Sequence, residues 1–294
     1  MWKAPFYFDI LPQAYQNPSK QNFKVDNVTY NYIDITFCYA TVMTGEIVIP
    51  EDNPLFSSGE IKKNKSDYTL RLFLKKQGAF YGWDAYYNDK NQLVFEFLNP
   101  KKLNAANNAY GIDLTGAKIF IDVGHGGKDP GAAGFSAYQT EAFRNLVLAE
   151  KIKARLEALG ATVYMNRTGD TTSSADEKIK MLKSIKPDFC IAIHHNSSTS
   201  SRANGFDSYY YNAFSKKAAD FIYTNTVNTG LYKNNNLGWH YYFMARTTNC
   251  PVVLTENGYM SNASDYNNIT NDAVNNAKAD AIVKGIAQYF SSIQ

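Results

Sequence analysis

With 294 residues, 45% of them hydrophobic and 19% charged, the chain has the material for one large domain or two ordinary ones and is not a disordered polymer. A net charge of +3, with lysines and arginines scattered rather than grouped, argues against a nucleic-acid binder. No apolar stretch reaches the length of a membrane span. Three isolated cysteines, Cys38, Cys190 and Cys250, make neither a disulfide framework nor a CxxC metal knuckle.

Residues 1–100 read as strands. "YIDITFCYATV", "EIVIP", "YTLRLFLKK", "FYGWDAYYN" and "LVFEFLNP" are rich in β-branched and aromatic residues, and Leu70, Leu72 and Leu74 alternate with period two, which buries one face. "YNDKNQ" is a turn between two of them. The expectation is a small all-β domain. The polar, turn-rich segment 101–116 reads as a linker.

From residue 117 to 294 the rhythm changes. "KIFIDV" is a short apolar strand. "TEAFRNLVLAEKIKARLEALG" is a helix with Leu148, Ile152, Leu156 and Leu159 along one face, Thr140 as its cap and Gly160 as its stop. "TVYMN", "DFCIAIHH", "FDSYYYN", "YYFMA" and "VVLTENG" follow as strands. "SADEKIKMLKSI", "SKKAADFIYTNTV" and "NNAKADAIVKGIAQYF" follow as helices. This alternation predicts an α/β fold, a mainly parallel twisted sheet with flanking helices.

In such sheets ligands bind beyond the carboxyl ends of the strands. His125 follows the first strand, His194 and His195 end the third, Glu256 ends the last, and Glu141 opens the first long helix. Two histidines and a carboxylate with an open position suit catalytic zinc, and a second carboxylate nearby could take a proton from water. By spacing alone His125 is either such a ligand or a hydrogen-bonded loop residue, because no HExxH fixes a ligand set on one helix face. A GxSxG elbow is absent, and "GHGGK" lacks the first glycine and the Ser/Thr of a phosphate loop.

"IDVGHGGKDPGAAG", "TEAFRNL", "IAIHHNSS" and "VVLTENGYMSN", in this order, strongly resemble the zinc-dependent N-acetylmuramoyl-L-alanine amidases over about residues 117–290. The resemblance implies cleavage of peptidoglycan between the lactyl group of muramic acid and L-alanine. It implies His125, Glu141 and His194 as zinc ligands and Glu256 as the catalytic residue. His195 falls on the variable position and is assigned no metal. Gly124, Gly126, Gly127 and Gly131 shape the turn, and Asn196 ties its loop together. Arg167 pairs with a helix end or a carboxylate, and His240 belongs to a packed aromatic cluster. Val123 stands where Pro or Ala is more usual, and Asn257 is a polar replacement beside Glu256. No long helical insertion is read between the Tyr209 and Glu256 strands, so the groove is expected to be uncovered. "FYGWDAYYNDKNQLVFEFLNPKK" resembles β-domains found before such amidases, including the AMIN type that targets the enzyme to the wall or septum; the alternative reading is a packing domain with no ligand of its own.

The expected setting is extracellular or the cell envelope, with a signal segment removed, since "MWKAPFYFDILPQ" is not one; a phage lysin needs none. A monomer acting on peptidoglycan is expected. The rival readings are a zinc peptidase of the stem peptides and a wall-binding module without activity.

Overall fold

The computed structural model describes residues 7–9, 23–26, 31–38, 40, 42–65, 67–135 and 139–294. It divides into two compact units, Met1–Asn99 and Pro100–Gln294.

The first unit is strand-rich. β1 (Tyr7–Asp9) pairs antiparallel with β4 (Val42–Thr44). β2 (Phe23–Asp26), β3 (Tyr32–Phe37), β6 (Asp67–Leu74) and β5 (Phe56–Asn64) form an antiparallel sheet in that spatial order. β7 (Trp83–Tyr87) and β8 (Leu93–Phe97) make a hairpin whose turn is closed by Asn88 and Asn91. The alternation in β6 buries Leu70, Leu72 and Leu74 against Ile33, Ile35 and Phe37 of β3. "EIVIP" is not a strand: Val48 is exposed and Pro50 lacks the amide a ladder needs.

The second unit begins earlier than the composition suggests. Residues 101–116, expected as a linker, carry the short hairpin of β9 (Asn104–Ala105) and β10 (Ile112–Asp113), and Ile112 and Leu114 sink into the core of this unit. Those two apolar side chains hold an otherwise polar segment down.

The remaining strands are β11 (Lys118–Val123), β12 (Thr162–Met165), β13 (Phe189–Asn196), β14 (Phe206–Tyr210), β15 (Asn235–Trp239) and β16 (Val252–Tyr259). They form one sheet in the order β12-β11-β13-β16-β14-β15. Every neighbouring pair is parallel except β14 with β16. The helices are α1 (Glu141–Ala158), α2 (Ala175–Ile185), α3 (Lys216–Val227), α4 (Ala263–Thr270) and α5 (Asp272–Ser291).

Helix ends follow the chemistry of their caps. The Thr140 hydroxyl accepts from the Phe143 amide at the start of α1, and the chain leaves through Gly160 at φ +91°. Ser174 and Glu177 form a reciprocal capping box on α2. Leu148, Ile152 and Leu156 of α1 are fully buried with Ile119, Ile121 and Val123 of β11, and with Ile282 and Ile286 of α5. Side chains alternate across the sheet, so Asp122, His194, Leu254 and Glu256 face the other side, towards α2.

The strand expected at "YYFMA" is a correction. The edge strand is β15, six residues earlier, and Met244–Arg246 is a single 3-10 turn. "NNLGW" has no apolar pattern of its own; pairing with β14 makes it a strand.

Candidate metal centre

Three connections deliver three donors to one point. β11 ends at Val123, and the chain turns through Gly124 and His125, the latter at φ +59°. Glu141 is the first residue of α1, and His194 lies near the end of β13. One Glu141 carboxylate oxygen, Oε1, lies 3.1 Å from His125 Nε2 and 3.0 Å from His194 Nδ1. The three donor atoms all lie within 4.8 Å of one another, and the two imidazoles meet edge-to-face at 5.0 Å. The approach demands glycine twice: a Cβ on Gly124 would stand 2.3 Å from His194 Cε1, and one on Gly131 2.6 Å from Glu141 Oε2.

A second layer fixes these donors. Asp129 Oδ2 lies 2.7 Å from His125 Nδ1, which turns Nε2 towards Glu141. Asn145, one helical turn after Glu141 and fully buried, donates to the Gly124 carbonyl and to Glu141 Oε1. Its own carbonyl faces His195 Nδ1 at 2.7 Å. His195 therefore points into the α1 side of the sheet, buried, and burial lowers its affinity for a proton well below the ordinary range. Among the described residues Arg167 pairs with no carboxylate. Its guanidinium donates to the carbonyls of Val123, Gly124, Ala142 and Gly169, stapling the His125 turn to the start of α1.

The electrostatics follow from burial and contact. Burial alone would raise the Glu141 carboxyl, but hydrogen bonds from His125 and His194 outweigh it and hold the group well below the carboxylate range. His125, hydrogen-bonded to Glu141, is pushed up to about 9. Glu256 behaves in the opposite way. It is the register partner of His194 on the adjacent strand, buried at 7% exposure, and its Oε2 has no hydrogen-bond partner among the described residues. Burial, then the charges of Glu141 and Asp207, push its carboxyl well above the ordinary range. Beyond Glu256 the strand carries one extra residue, since Asn196 pairs with Tyr259, and this bulge turns the chain out of the sheet.

His125, Glu141, His194 and Glu256 line one cavity of about 450 Å³. Asp122 and Lys178, an ion pair at 2.8 Å, also line it, as do Ser173, Asn196 and the segment Tyr242–Met244. Asn196 spans to Asp207 and caps the Ser197 amide. His240 stacks on Tyr242 at 4.0 Å and is not among the lining residues. Asp129 and Asn145 escaped the sequence reading as functional residues. The one signal for Asn145 was its i+4 spacing from Glu141.

A sequence profile of the N-acetylmuramoyl-L-alanine amidase family matches residues 119–288, the stretch that holds all four of these side chains. The chain belongs to this family. Among relatives of this amidase, the probable cell wall amidase LytH of Staphylococcus aureus is 34% identical over 212 residues, covering 72% of this chain and 68% of that protein. The catalytic domain of CwlV, from Bacillus (Paenibacillus) polymyxa var. colistinus, shares the fold at a TM-score of 0.57 and 31% identity, covering 60% of this chain and 98% of that one. An amidase from Clostridium difficile 630 does so at 0.58 and 26%, covering 60% and 97%. The expected α/β fold with a mostly parallel sheet is the fold of these catalytic domains.

Behind the amidase site sits a fully buried lysine. Lys278 of α5 donates to the Asn257 carbonyl at 3.0 Å and to the Tyr232 hydroxyl at 2.9 Å, directly after Glu256. Asn257 itself donates to the His194 carbonyl, to the Thr255 carbonyl and to Thr255 Oγ1. Burial brings the Lys278 ammonium down to about 7 from 10.5. Between those values the unfolded chain holds a proton that the folded chain has released, so this contribution to stability rises with pH. Stability is expected to climb from pH 7 to 9.5 by up to about 1.4 kcal/mol per unit, with the rise flattened in Lys278→Met. Denaturant melts at half-unit pH steps check this; equal slopes in both proteins refute it.

Proposed function

We propose that this amidase is a zinc hydrolase of peptidoglycan, cleaving the amide between the lactyl group of N-acetylmuramic acid and L-alanine. In this reading His125, Glu141 and His194 hold the ion and Glu256 moves the proton. The observation that carries it is the register of His194 with Glu256. It sets a proton-holding carboxyl beside a convergent donor set in a single cavity.

The donors fit the ion. Two imidazole nitrogens and one carboxylate oxygen are the three-ligand set that catalytic zinc takes, with a position left over. Asp129 supplies the outer partner that ligating histidines need. Bound there, zinc would supply Lewis acidity, polarising the amide carbonyl and lowering the pKa of water to about 7.

The rest of the chemistry belongs to the chain. The Glu256 carboxylate accepts a proton from the water that attacks the carbonyl carbon. As the C–N bond breaks, the same carboxyl returns that proton to the departing amine of L-alanine. Its unusually high proton affinity suits the second role. A cation among the donors would offset the Glu141 charge, one of the causes that hold the proton on Glu256, and so suits the first. Likeness to cell wall amidases supports action at the cell envelope or outside the cell. The strand-rich first unit, AMIN-like in sequence, is read as the part that targets the wall. No described helix is long and apolar enough to cross a membrane.

The test is a digest of purified peptidoglycan with and without a chelator, followed by identification of the new ends. Metal-dependent release of stem peptides with a free N-terminal L-alanine is expected. New amines elsewhere in the peptide would make the chain a peptidase, and retained wall binding with no new ends would make it a binding module.

A further inference from the structure

The segment after β15 divides its rings between two directions. His240 and Tyr242 stack on each other, and both lie 5.4 Å from Tyr209. Trp239, Tyr241 and Phe243, the alternate residues, are exposed by 59%, 58% and 43%. Tyr211, following β14, lies 5.4 Å from Trp239 and 5.3 Å from Tyr241. Arg246 sets its guanidinium over Tyr241 at 4.2 Å and donates to the Tyr241 hydroxyl. A core-filling role does not account for three large rings in water on consecutive alternate positions. Their run is also continuous with the cavity, because Tyr242 and Phe243 line it together with Glu256.

We propose that Tyr211, Trp239 and Tyr241 form a platform for the glycan strand of the substrate, the neutral N-acetylated amino-sugar chain that leads away from the scissile amide. This rests on the amidase reading of the cavity. The bond to be cut joins a glycan to a peptide, so the two must leave the cavity in different directions. On the β11 and α2 side the lining is polar and charged, with Asp129, Ser173 and Lys178. With Lys178 paired to Asp122, that lining offers hydrogen-bonding groups to the amides of a stem peptide. Towards β15 the rings offer flat apolar faces, which match the C–H faces of pyranose rings, and the Arg246 guanidinium is already engaged with Tyr241. The platform gives the enzyme a grip on polymer that it lacks on a single muramoyl peptide.

The experiment compares wild type with Trp239→Ala, Tyr241→Ala and the conservative Trp239→Tyr. Calorimetric titration with a soluble oligomer of β-1,4-linked N-acetylglucosamine, which has no peptide, reads the platform without catalysis. Binding is expected in wild type, weakened about five- to tenfold in the alanine variants and largely restored in Trp239→Tyr. On long uncross-linked glycan strands carrying stem peptides, KM should rise by a similar factor with kcat unchanged. On a single-sugar muramoyl peptide neither should move. Equal KM shifts on both substrates, no shift on either, or weakened binding of free stem peptide instead of the sugar oligomer would overturn the proposal. If wild type cleaves no substrate at all, the amidase reading fails. The oligomer titration then still decides the platform by itself.

Discussion

Glu256→Gln is expected to lower kcat on peptidoglycan by about 10²–10⁴-fold while the chain still takes up zinc. The amide fills the same space and keeps the strand register with His194, but it can neither accept the proton of water nor return one to the leaving amine. The loss should fall on kcat, with KM changed little. Wild type should carry a matching signature in its pH profile. Burial and the charges of Glu141 and Asp207 raise the Glu256 carboxyl. The acid limb of kcat/KM, where the base is lost by protonation, should therefore lie above the ordinary glutamate range. As pH falls through that raised value activity falls, and the limb should vanish from the residual rate of Glu256→Gln. Stopped assays across pH 4–9 check both points, and a variant within tenfold of wild type would remove Glu256 from the proton transfer.

Removing one donor should be the more complete lesion. His194→Ala leaves Glu141 and His125 facing an open position and is expected to bring activity to background, with no zinc retained after gel filtration. Wild type stripped by a chelator should lose activity equally and recover on zinc addition; the variant should not recover. The fold should survive both treatments. Glu141 Oε1 also accepts from the Asn145 amide and the His195 backbone amide, so its lone pairs keep partners. Metal content by elemental analysis, read beside circular dichroism, separates the outcomes. A His194→Ala protein that keeps its zinc would place the ion elsewhere.

The parts of this molecule that were legible in advance were those written in local chemistry. Thr140, the Leu148–Ile152–Leu156 face and Gly160 marked α1 from cap to stop, and they stand where expected. The four motifs named His125, Glu141, His194 and Glu256, and the fold gathers them into one cavity. What escaped was decided through space. Arg167, read as a partner for a carboxylate or a helix end, does reach the start of α1 through the Ala142 carbonyl, but nothing in a sequence says that three more carbonyls converge on the same guanidinium. The edge strand β15 has no apolar alternation, and the neighbouring aromatics, strand-like by preference, form a run of exposed and stacked rings ahead of the 3-10 turn instead. Ile112 and Leu114 were too sparse to show that their segment belongs to a core.

Helix α1 carries Glu141 in its first turn and the fully buried Leu148, Ile152 and Leu156 further along. A helix advances about 100° per residue, so the angle between the Glu141 carboxylate, which faces His125 and His194, and the core-facing stripe is set by a count of residues. Conservative exchanges along the exposed face leave that count alone. A single inserted or deleted residue between positions 142 and 147 does not: either the core stripe rotates out of register, or Glu141 swings away from His125 and His194. In this helix the number of residues matters as much as which residue stands at position 141.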